Sequence, residues 1–236
     1  MAEGIEMFEA LGLGLLAQSS LLLAGLMVFW VKFPPRVVGA LAGFGAGAML
    51  AAISFDLLAE AEGLDAWQLG LWMMIGVAIF LVGDTVVERR FGDEGVGGSM
   101  GIIVGSVVDG VPESMIFGIQ IAAGIPVSVS FLGAVFVSNI PQAVAPSAEL
   151  AEAGWARARV GRVWLLVVLA CGVAAALGYF AVDVSSAVQG SRLAALAAGG
   201  LLAMLTNSLI PFAYERGGQI AGVSTVIGFC VSVIGT

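Results

Sequence analysis

The sequence predicts an all-α integral membrane protein: eight transmembrane helices in an inverted 3+2+3 repeat, both termini on the non-cytoplasmic side. Three observations predict it. Of the 236 residues 60% are hydrophobic and 11% charged, with a mean hydropathy of +1.06; a soluble domain carries about 25% charged residues. Apolar runs of membrane-crossing length recur along the whole chain. The basic residues fall almost entirely on one side of those runs. The same composition excludes a water-soluble globular domain, a nucleic-acid binder and a disordered tail. The 34 glycines suit helices that approach closely in lipid. Glu3, Glu6 and Glu9 make the N-terminus acidic, where a cleavable signal would be basic.

A span needs about 20 mostly apolar residues. Eight runs meet this, at about 8–31, 37–59, 69–87, 99–123, 127–147, 162–182, 193–214 and 218–235. Pro34-Pro35 breaks the first connection, Gly124-Ile125-Pro126 the fourth and Gly217-Gly218 the seventh. The longest connection, about 148–161, carries Glu149, Glu152, Arg157 and Arg159. No loop could hold a soluble domain, so residues 1–236 read as one transmembrane domain. The odd-numbered connections hold Lys32, Arg36, Arg89, Arg90, Arg157, Arg159, Arg162 and Arg216, and the other side holds only Arg192. Lys and Arg mark the cytoplasmic side, which places both termini opposite. Short loops and no targeting segment point to a multi-pass protein of a prokaryotic inner membrane, with the bilayer as its first partner.

Two internal matches point to the repeat. Asp109-Gly110-Val111-Pro112-Glu113 is echoed 29 residues later by Ser138-Asn139-Ile140-Pro141-Gln142, in the next, oppositely directed span. Ala40-Leu41-Ala42…Ala48-Met49-Leu50 is echoed by Ala195-Leu196-Ala197…Ala203-Met204-Leu205, in spans two and seven. The second match is also open to a plainer reading, shared low complexity in Ala, Leu and Met. Three helices repeated in inverted order around a central pair is a recurrent transporter plan.

Histidine is absent, and the two cysteines, Cys171 and Cys230, lie inside apolar runs. A metal site here must therefore rest on oxygen. Ionisable residues within spans are costly and rare; the candidates are Asp56, Asp84, Asp109 and Glu113. Asp84 lies a turn from Glu88, Arg89 and Arg90, and reads as a paired or snorkelling residue. Asp56 and Glu60, near the outer end of span two, read either as a wetted helix end or as an entrance for cations. Asp109 and Glu113 fall mid-span, four apart, on one helix face. Two carboxylates there repel unless a cation or a proton sits between them. Pro112 has no N–H to donate and so frees the Val108 carbonyl; Pro141 does the same for Val137, beside Ser138, Asn139 and Gln142. Carboxylates with free carbonyls and amides make a hard-cation site. The alternative is a pair of proline-containing helices with a protonated carboxyl kept for packing.

These residues resemble the ZIP family of divalent-metal transporters, whose fourth and fifth helices carry a His-Asn-x-Pro-Glu-Gly type motif. Here Asp109-Gly110-Val111-Pro112-Glu113-Ser114 and Ser138-Asn139-Ile140-Pro141-Gln142-Ala143 stand in those places. Span two, from Gly43 to Ala61 with Asp56 and Glu60, looks like the family's second helix. Span seven, with Leu209-Ile210-Pro211, looks like its seventh. The resemblance covers nearly all eight spans. It implies a homodimer that binds metal between helices four and five and moves it by alternating access. By position, the first metal site is Asp109, Glu113, Ser138 and Gln142, and the second Gly110, Glu113, Asn139 and Gln142. Asp109 stands where His is usual, Gly110 offers no side chain, Gln142 stands where a bridging Glu is usual, and span six holds no acid. Two carboxylates with neutral oxygen donors remain.

The resulting expectation is a divalent-cation transporter, not an enzyme, that carries its ion toward the cytoplasm and needs no resident cofactor. The family favours zinc or iron; all-oxygen donors favour a harder ion such as Mn²⁺ or Mg²⁺. The other readings are a non-transporting sensor or scaffold of the same fold, and a pathway for protons or monovalent cations.

Overall fold

The computed structural model describes residues 2–91, 96–122, 124, 127–183 and 187–235. Among these there is no strand. The helices are α1 (Ala2–Met27), α2 (Pro35–Ala52), α3 (Leu58–Glu60), α4 (Ala66–Phe91), α5 (Val96–Ala122), α6 (Val129–Glu152), α7 (Arg157–Asp183), α8 (Ala187–Met204), α9 (Ile210–Gly217) and α10 (Gln219–Gly235). Two π-helical turns, Ile53–Leu57 and Leu205–Leu209, join α2 to α3 and α8 to α9 without a break.

Each apolar run coincides for most of its length with one helix or one such continuous rod, but the ends differ. The first begins at Ala2 and ends at Met27, not at 8 and 31. Acidic residues in a first turn complement the N-terminal end of the helix dipole, so α1 starts outside its apolar stretch. α6 continues to Glu152, past Pro146, and α7 begins at Arg157. α5 and α6 run unbroken through Pro112 and Pro141. The break expected at Ile125 and Pro126 lies outside the described residues, as do the side chains of Glu88 and Arg90.

Six of these helical segments are long and apolar enough to cross a membrane; Gln219–Ile234 is apolar but shorter. The distribution of side chains agrees. Large apolar residues point outward, among them Val82, Leu166, Val223 and Ile234, while Gln18, Glu113, Ser114, Gln120, Ser138 and Asn139 are buried. Such an apolar exterior around polar interior groups suits lipid rather than water. Near the loops, Arg157 lies 4.8 Å over the Trp30 ring and Arg159 3.6 Å over that of Trp155, the pairing of aromatic and basic residues found at membrane interfaces.

Glycines set how closely the helices meet. Gly47 of α2 faces the Thr225 carbonyl of α10, and Gly228 of α10 faces the Phe44 carbonyl of α2. α4 and α8 meet the same way, Gly76 against the Leu196 carbonyl and Gly199 against that of Met73. α5 and α7 repeat it with Gly118 against Ala175 and Gly178 against Met115. The run Gly43, Gly45, Gly47 thus serves packing within the chain: Gly43 and Gly47 admit α10, and Gly45 admits Ser138 of α6. α1 packs on α5, α6 and α7, α2 also on α6, and α5 also on α8.

A Cβ at these positions has nowhere to go, because the obstacle is backbone. Gly47→Leu should therefore destabilise the protein by about 1–3 kcal/mol or more. Gly222→Ala, with open space around it, should leave the thermal unfolding midpoint in detergent unchanged. Equal midpoints for both variants would contradict this packing.

Candidate functional site

The centre of the bundle holds a chain of hydrogen bonds linking three helices. Glu113 of α5 is fully buried. Its Oε2 accepts from Gln18 Nε2 of α1 at 3.0 Å. Gln18 Oε1 in turn accepts from Asn139 Nδ2 of α6 at 2.9 Å. Gln18 and Asn139 are as buried as Glu113. Glu113 Oε1, also buried, has no hydrogen-bond partner. One carboxylate oxygen is thus held in place and the other is left uncommitted.

The chain geometry follows from residue type. A buried carboxylate is tolerated only with partners, and an amide can donate with one end and accept with the other. Gln18 does both, and Gly110 makes room for it: a Cβ at 110 would sit 3.2 Å from Gln18 Oε1 and 2.8 Å from Cys171 Sγ. The position on α5 that lacks a side chain is therefore filled by an amide from α1.

The other expected site residues are placed as follows. Asp109 is half-buried, one turn from Glu113 on the same face of α5, and its charge acts on Glu113. Asp84 of α4 also acts on Asp109 electrostatically, so it stands beside this line rather than only at a helix end. Ser138 is fully buried, but its hydroxyl donates to the Val135 carbonyl at 3.0 Å, back onto its own helix. Gln142 is half-buried one turn further along α6. Asp56 and Glu60 lie apart, at the far end of α2's rod. Asp56 Oδ2 accepts from Ser128 Oγ, and Glu60 Oε1 from Gln120 Nε2, both at 2.6 Å.

Among the described residues no group of three or more His, Cys, Asp or Glu converges to hold a metal. A cation here would have to draw on amides, hydroxyls and carbonyls besides the carboxylates. Such an all-oxygen set suits hard ions. Gln18 and Asp84 are the residues that sequence reasoning undervalued. The signal for Gln18 was available: it is a lone amide in an otherwise apolar run, and a polar group within a span needs a partner.

Searched against family models and curated proteins, the chain matches none.

Removing Gln18 should strand Glu113 Oε2 and Asn139 Nδ2 together. Gln18→Leu is expected to cost about 1–3 kcal/mol of stability, the cost of leaving buried polar groups unpaired. In the Glu113→Gln background the cost should change by about 0.5 kcal/mol or more, because the two residues are in contact. Additive effects in that double-mutant cycle, read by thermal unfolding, would contradict the hydrogen bond.

Proposed function

We propose that the protein is a ZIP-like transporter of divalent cations. In this reading it moves its ion toward the cytoplasm by alternating access, through a site between α5 and α6. The observation that carries the reading is the buried chain Glu113–Gln18–Asn139 with an uncommitted carboxylate oxygen. Burying a carboxylate and two polar partners in a lipid-facing bundle costs more than apolar packing. A cation that replaces the missing partner makes sense of that cost.

The full architecture belongs to the same proposal: eight spans, an inverted 3+2+3 repeat, termini outside the cytoplasm and two chains per transporter. Several packing features support the repeat. Exchanging the first three rods with the last three, and α5 with α6, maps the α2–α10 contact onto α8–α4, α5–α7 onto α6–α1, and α2–α6 onto α8–α5. Gly47 and Gly76 then correspond to Gly199 and Gly228, and the two π-turns to each other, all at an offset of 152 residues. The Ala-Leu-Met match in the sequence has an offset of 155. The packing register differs by three residues, close to one helical turn, so the match keeps the helix face but not the partners.

In the mechanism, Asp56 and Glu60 attract the ion at the outer end. Asp109 and Glu113 replace part of its water shell, with Asn139, Gln142 and Ser138 supplying neutral oxygens. Gln18 holds Glu113 Oε2 so that Oε1 faces the ion. Movement of one repeat against the central pair then opens the site to the other side. Zinc follows from the family, and Mn²⁺ or Mg²⁺ from the oxygen donors.

Flux into proteoliposomes across a panel of divalent ions tests this. Saturable uptake is expected for at least one ion, reduced tenfold or more in both Asp109→Ala and Glu113→Gln. Gln142→Glu, which adds a third carboxylate, should tighten ion binding. No flux for any ion from folded, reconstituted protein would sink the transporter reading. A Glu113→Gln variant transporting like the wild type would move the site elsewhere.

A further inference from the structure

The pair Asp56 and Glu60 enters the proposed mechanism only as an attractor of ions, but the structure builds more around it. Glu60 Oε1 is bonded to Gln120 Nε2 of α5, and Asp56 Oδ2 to Ser128 Oγ, at the N-terminal cap of α6. Ser128 Oγ also accepts from the Phe131 N–H at 3.1 Å, so its own proton is directed to Asp56. The two carboxylates lie on one rod, four residues apart, Asp56 within the π-turn and Glu60 just after it, and the Asp56 charge acts on Glu60. A π-turn shifts the face on which the following side chains emerge, and such turns recur at functional sites.

Two oxygens of this cluster are buried and have no hydrogen-bond partner: Glu60 Oε2 and Gln120 Oε1. Gln120 is 1% exposed, and its carboxamide is held toward Glu60 by its own N–H. Buried oxygens without donors are costly, and two carboxylates beside them make the environment negative. Arg192 of α8 lies over the Trp72 ring at 5.7 Å, and its own buried Nε has no hydrogen-bond partner. Among the described residues, neither oxygen meets a hydrogen-bond donor.

The cluster is also separated from the central chain. Seven residues along α5, about 10 Å by helix rise, divide Gln120 from Glu113. Between them sit Phe117 of α5 and Phe131 of α6, both fully buried, with ring centroids 5.2 Å apart. This aromatic pair fills the space between the two clusters with apolar rings.

We propose that Glu60, Gln120, Asp56 and Ser128 form a second cation site, distinct from the central one and closed off from it by Phe117 and Phe131. Its donors are a carboxamide oxygen, a hydroxyl and two carboxylates, a set that takes a hard divalent ion such as Mn²⁺ or Ca²⁺. The site deepens the entrance role given above to Asp56 and Glu60, and its binding does not require the central site to be occupied.

Calorimetric titration of Mn²⁺ into the full chain in lipid nanodiscs tests it, with thermal unfolding as a check on folding. Glu60→Gln should weaken one Mn²⁺ binding event per chain tenfold or more. Gln120→Met, near-isosteric and charge-neutral, should do the same if the amide oxygen is a ligand. Glu113→Gln should leave that event in place. Wild-type titrations from both Glu60→Gln and Gln120→Met would overturn the site. Loss of every Mn²⁺ event in Glu113→Gln would overturn it too, leaving the central reading intact. Loss of every event in Glu60→Gln, with Glu113→Gln unaffected, would uphold it and count against the central site.

Discussion

The architecture depends on one constraint: a carboxylate within a lipid-facing helical bundle must find its partners inside the protein. Glu113 is fully buried, and Gln18 and Asn139 are the groups that meet it. Satisfying it requires α1, α5 and α6 to converge on one point, since an amide reaches only a few ångströms beyond its helix. The small residues follow from that convergence. Gly110 leaves the space that Gln18 occupies, and Gly45 lets α2 press on α6 at Ser138. Glycine faces elsewhere let the outer helices close around the core without large side chains between them.

The fold and the site were unequally legible in the sequence. Apolar runs located the long helices, six segments of which are long and apolar enough to cross a membrane, because length and composition decide such a segment. Helix ends were read less well, since caps and charged first turns lie outside the apolar stretch, as at Ala2 and Glu152. The π-turns at Ile53–Leu57 and Leu205–Leu209 carry no local signal of their own in the sequence. The glycine run of span two was visible, but whether it faced the same chain or another was a matter of three-dimensional pairing.

For the site, the carboxylates Asp109 and Glu113 were legible because their spacing puts them on one helix face. Gln18 was not read, because its partner lies 95 residues away and no spacing rule links them. Ser138 looked like a donor by position, but its hydroxyl turns to its own backbone, a bond open to any serine in a helix. Asp84 looked like an end residue until α4 was placed beside α5. In each case a residue's type was visible and its partner was not, and the partner decides what a polar group in a bilayer can do.

The central claim is that the uncommitted oxygen of Glu113 receives a cation. Infrared difference spectroscopy of the reconstituted protein, recorded before and after addition of zinc or manganese, tests it most directly. The account predicts a shift of carboxylate stretching bands in the wild type, a component of which disappears in Glu113→Gln. Identical difference spectra for the two proteins would contradict it.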